Sequence, residues 1–68
     1  MLFMKNLNSA KSKLIYLYID THGTTNVSGI KSNLHMRMIE ILPVVIALEN
    51  LNYIEELESK KGYYRTVK

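Results

Sequence analysis

Three groups of side chains hold the chemistry available to this sequence. Asp20 and His22 lie two residues apart and have the make-up of an acid–base pair. Glu55, Glu56 and Glu58 supply carboxylates close enough to act together. Lys60, Lys61 and Arg65, with Lys31 and Arg37 upstream, could neutralise a polyanion. General acid–base work needs its groups held in a pocket that shifts their pKa values. The acidic trio instead falls on a segment that reads as a hairpin strand, where charges face water and blunt strand-to-strand association. Asp20 and His22 fall at a helix end, where capping accounts for both. No phosphate loop, nucleophile elbow or metal-ligand set appears, and the absence of Cys with only two His leaves no thiolate or zinc site. The chain is therefore expected to be neither an enzyme nor a holder of metal, cofactor or small ligand. The basic set is what remains to be placed.

Placing it starts from the charge pattern. Residues 1–37 carry five bases against Asp20 alone, residues 38–58 carry five acids and no base, and residues 59–68 carry four bases. The net charge is +3, with basic ends around an acidic middle. Basic patches suit polyanions such as nucleic acid. At 68 residues the chain has room for one small core, and its 47% apolar content is enough to fill one. Domains of this size commonly gain stability from a second copy. The longest apolar run, Ile41 to Leu48, is bounded by Glu40 and Glu49 and is too short to span a membrane. Met1 to Met4 lack the basic leader and long apolar centre of a secretory signal, so a cytoplasmic protein is expected.

The elements follow from periodicity. Leu7, Ala10, Leu14, Leu17 and Tyr18 recur at helical spacing, with Ile15 and Ile19 widening the stripe. This predicts a first helix over residues 9–21, capped by Asn8 or Ser9, closed by Gly23, and with Lys11 and Lys13 facing water. Thr24-Thr25-Asn26 reads as a very short strand ending in a helix cap. A second helix over residues 27–33 carries the apolar pair Ile30 and Leu34, with Gly29 weakening it by up to about 1 kcal/mol relative to Ala. The third helix holds Ile41, Val44, Val45, Leu48 and Leu51. Proline is tolerated only in a first turn, so Pro43 sets the start near Ile39 or Glu40, with a kinked helix from Arg37 as the alternative. Asn50 or Asn52 ends it. Tyr53 to Glu58 and Tyr63 to Val67 read as hairpin strands around a turn at Ser59-Lys60-Lys61-Gly62, with Ser first and Gly fourth as a type I turn prefers.

The ordered set resembles the winged helix-turn-helix of MarR- and ArsR-like regulators. Ile30 and Leu34 look like the apolar pair of their second helix. Ile41, Val45 and Leu48 look like the core of their third. Asn52-Tyr53-Ile54 looks like the step into their wing, with Asn in the usual Gly position, and Tyr63-Tyr64-Arg65-Thr66 looks like the returning wing strand. The resemblance implies an α+β domain over residues 1–68, with three helices and a C-terminal two-stranded wing at residues 53–67. Residues 1–6 are left frayed or in contact with a dimer partner.

What the resemblance implies about function is duplex DNA binding with little sequence preference, by a small homodimeric transcription regulator. The third helix would enter the major groove and the wing would lie on the backbone. Phosphate contacts would fall to Thr25, Asn26, Ser28 and Lys31. Arg37 would reach a base edge or phosphate, and Lys60, Lys61 and Arg65 would serve the wing. One departure stands out. Groove-facing positions of the third helix usually carry donors and acceptors, yet here Ile39, Leu42, Pro43 and Ile46 form an apolar patch, with Glu40 beside them. That patch supports the alternative, a winged helix that docks protein or serves as an assembly subunit.

Overall fold

The first helix starts where the sequence can cap it. In the computed structural model, which describes residues 9–67, α1 spans Ala10–His22. The Ser9 hydroxyl accepts the Ser12 N–H at 3.0 Å, satisfying one of the amides that a helix start leaves without a partner. Gly23, at φ 79°, closes the helix. The buried face is Ile15, Tyr16 and Ile19: Ile15 and Ile19 of the expected stripe are in it, and Tyr18 packs against it. Leu14 and Leu17 are exposed, which corrects that expectation. Tyr16 wins an inward place because its ring meets Tyr53 edge-on, with centroids 5.9 Å apart. The expected contributions of Asn8, Leu7 and residues 1–6 lie outside the described residues.

Strand β1, Thr25–Asn26, leads directly into α2, Val27–Leu34. The Asn26 side chain accepts the Gly29 N–H at 2.8 Å, as a helix cap should. α2 closes at His35, which sits in the left-handed region at φ 54°. α3 spans Met38–Asn50, with Arg37 in the capping position. It begins one residue before the expected Ile39, so Pro43 lies inside the helix and removes one intrahelical hydrogen bond. Its far end is a Schellman closure. Tyr53 N–H reaches Leu48 O at 2.9 Å and Asn52 N–H reaches Glu49 O at 3.0 Å. Asn52 stands between them at φ 65°, the place usually held by Gly.

β2, Ile54–Glu56, and β3, Tyr63–Thr66, form the hairpin. The sheet has three antiparallel strands in the order β1-β3-β2, one more than the expected two-stranded wing. Thr25 pairs with Tyr64 and Asn26 with Tyr63, so the short strand before α2 completes the sheet. The hairpin turn also falls one residue later than expected. Its closing bond runs from Tyr63 N–H to Lys60 O at 3.2 Å. That makes Gly62 the third turn residue, at φ 87°, a conformation that disfavours any side chain.

The core lies where the three helices meet the inner face of the sheet. Ile15, Ile19, Ile30, Ile41, Val45, Leu48 and Ile54 are buried together with Tyr16. Full burial of one such aliphatic side chain stabilises by roughly 1.5–3 kcal/mol. Along β3 the pleat alternates: Thr66 points inward and Arg65 outward. Among the described residues no helix is long and apolar enough to cross a membrane.

Candidate docking face and basic surface

On α3 the two sides of one helix are both apolar. Ile41, Val45 and Leu48 face the core. Ile39, Leu42, Pro43 and Ile46 follow the spacing i, i+3, i+4, i+7, and so share the opposite side. There Ile39 is 74% exposed, Ile46 56% and Leu42 44%, and Pro43 is exposed as well. Met38, also exposed, extends the edge of this stripe. A helix apolar on all sides is normally covered on all sides. Among the described residues, only the side of Ile41, Val45 and Leu48 is buried.

The first turn of α3 is fixed electrostatically. The Glu40 carboxylate accepts the Arg37 backbone N–H at 3.1 Å and the Lys11 ammonium at 3.0 Å. Arg37 Nε stands 3.9 Å away. The backbone hydrogen bond, then the Lys11 contact, hold the Glu40 carboxyl below its ordinary range. Lys11 is exposed, as expected, and also joins the start of α1 to the start of α3.

The candidate DNA-contact residues differ in exposure and in the bonds they already make. Thr25 is buried in β1, so its hydroxyl is withdrawn from any phosphate. The Asn26 carboxamide oxygen is engaged in capping α2. Arg65 donates to Glu55 at 2.7 Å across the hairpin, so its charge is already paired within the chain. The Lys60 ammonium lies 4.2 Å above the Tyr63 ring. Ser28 and Lys31 on α2 are exposed, as is Lys61 at the hairpin tip. Arg37 is 80% exposed at the mouth of α3. Among the described residues, Lys31 and Lys61 have no ion-pair partner.

Asp20 and His22 do not form a pair. The Asp20 carboxylate accepts the Thr66 hydroxyl at 3.1 Å. The His22 ring lies stacked 4.0 Å from Tyr18 and hydrogen-bonds its carbonyl. A polar junction that the sequence did not suggest ties α1 to α2: Asn33 Nδ2 donates to the Tyr18 hydroxyl at 2.8 Å and to Gly29 O at 2.9 Å. Its only signal in the sequence was the unexplained Gly29. Comparison with family models, with curated proteins and with solved structures returns no match.

Proposed function

We propose that this chain is a protein-docking domain on a winged-helix frame, with the outer side of α3 as its docking face. The frame is supported by the order helix, strand, two helices and hairpin, with the first strand added to the hairpin's returning strand. The observation that carries the docking reading is the exposure of Ile39 and Ile46 at the centre of that side. A groove-reading helix needs donors and acceptors at such positions, and aliphatic side chains offer base edges only a thymine methyl to touch.

The test replaces Ile39 and Ile46 together with Gln, which adds no charge and favours helix. The double variant should keep its denaturant midpoint to within about 0.5 kcal/mol, as surface changes do, and should lose the fluorescence that a hydrophobic dye gains on the native protein. Duplex DNA affinity at low salt should be weak and equal in the two proteins. Tight duplex binding that collapses in the variant would overturn the reading.

Duplex DNA remains the second reading, favoured by the exposure of Ser28, Lys31 and Lys61. If it holds, log K falls with log salt by about 0.9 per phosphate contact, and Lys31→Glu with Lys61→Glu weakens binding to all sequences alike. A flat salt dependence would exclude it.

A further inference from the structure

The two ends of α3 carry opposite charge. At the amino-terminal end Arg37 and Lys11 stand around Glu40, so bases outnumber the acid. Arg37 is 80% exposed, and its Nε comes no nearer to Glu40 than 3.9 Å. The last turn holds Glu49 and no base. Glu49 is seven residues on from Leu42 and three on from Ile46, so it edges the exposed apolar side. The ion pairs of the described residues use Glu40 and Glu55 and leave Glu49 without one. The helix dipole disfavours an acid at a carboxy-terminal end and favours one at an amino-terminal end. Within its own helix Glu49 therefore stands at the unfavourable end.

The charges and the apolar stripe share one centre. The midpoint of Ile39 and Ile46 falls at the Leu42–Pro43 step, and that of Arg37 and Glu49 falls at Pro43. A two-fold axis across α3 at that step sets Ile39 level with Ile46 of the copy and Leu42 beside Leu42 of the copy. It also brings the Glu49 end of each helix to the Arg37 end of the other, about 18 Å along the axis from the opposite pair of ends. A parallel contact would instead gather the two Arg37 ends together and the two Glu49 ends together, like charge with like.

We propose that a second copy of this chain covers the stripe, α3 against α3 and antiparallel, with Leu42 and Pro43 at the two-fold axis. The outer side of α3 is then its own complement. Each copy meets aliphatic with aliphatic, supplies a base at the end where Glu49 has none, and places that acid at the helix end that favours it. One helix pair buries less than the roughly 800 Å² per partner of a standard interface, so the dimer is weak and the stripe is open at the low concentrations of a dye assay. The inference rests on the docking reading of α3 and names its occupant.

Sedimentation equilibrium of the full chain tests the occupant. The protein should be monomeric near about 1 µM and dimeric towards roughly 1 mM, and Ile39→Gln with Ile46→Gln should remove the dimer. Glu49→Arg should weaken it about tenfold at low salt, and adding Arg37→Glu should restore it. Direction is read by cross-linking, since the chain has no Cys. Under a mild oxidant Leu42→Cys should link to itself. Ile39→Cys should link to Ile46→Cys in a mixture, and neither should link efficiently alone. A monomer at every concentration, with the dye still bound at the stripe, overturns the second copy and leaves the docking face standing. A dimer that survives the Ile39 and Ile46 changes overturns both. Self-linking of Ile39→Cys that exceeds the mixed link overturns the antiparallel arrangement, as does a charge swap that restores nothing.

Discussion

Gly29 shows how one missing carbon joins two helices. A Cβ built there would lie 2.9 Å from Thr25 Oγ1 and 3.2 Å from Asn26 Oδ1, and Thr25 is buried and cannot swing clear. Helix propensity alone would favour Ala by up to about 1 kcal/mol. Overpacking of roughly 1–3 kcal/mol, with a disturbed cap, opposes it. Gly29→Ala should therefore destabilise the protein by about 1–2 kcal/mol net, seen as a lower denaturant midpoint with unchanged slope. A gain in stability would show that the junction relaxes freely. His35 presents the reverse case. It holds a left-handed conformation at φ 54° without being glycine, a strain of roughly 1 kcal/mol. His35→Gly should gain a few tenths of a kcal/mol to about 1, because glycine's greater freedom when unfolded offsets part of the relief. The role of Gly29 was not legible in the sequence, since the clash involves a residue on another element. The capping by Ser9 and Asn26 was legible, since each needs only its own helix start.

At the scale of elements, α3 departs most from local rules. Pro43 occupies its second turn and removes the bond to the Ile39 carbonyl. Pro43→Ala should restore it and stabilise the protein by about 1–2 kcal/mol, after the loss of proline's restraint on the unfolded chain. Thermal unfolding followed by circular dichroism measures this; an unchanged or lowered midpoint would mean that the proline contributes a contact of its own. The rule that confines proline to a first turn placed the helix start too late, because packing of Ile41, Val45 and Leu48 outweighs one lost hydrogen bond. The hairpin was legible from its β-rich flanks and glycine, whereas the turn register was not. The stripe on α1 was drawn too wide: Ile15 and Ile19 meet the core and Leu14 and Leu17 do not, because adjacent leucine-like residues are equally apolar and periodicity cannot say which of them faces inward.

Over the whole molecule, charge decides more than its net value. Lys11 and Glu40, 29 positions apart in sequence, tie the first and third helices at their starts. The Glu40 carboxyl is depressed from its ordinary 4.5, so its stabilisation is complete above that value and is lost as pH falls through the lowered pKa. Glu40→Gln should lower stability at neutral pH and flatten the acid limb of the pH profile. An identical limb in both proteins would remove this pair from the account. The sequence showed basic ends around an acidic middle, and the apolar patch on the third helix was visible there as an anomaly. It did not show that Arg65 meets Glu55 or that Thr25 is buried. Those facts depend on strand register, which is set by contacts far apart in the chain.

The strand order has a consequence for how the chain comes into being. The middle of the ladder, Tyr63–Thr66, is translated after both of its neighbours. Until the ribosome has released it, Thr25–Asn26 and Ile54–Glu56 have nothing to zip against. A nascent chain halted at Gly62 should thus be open to protease throughout, whereas one extended past Val67 should turn resistant in a single step.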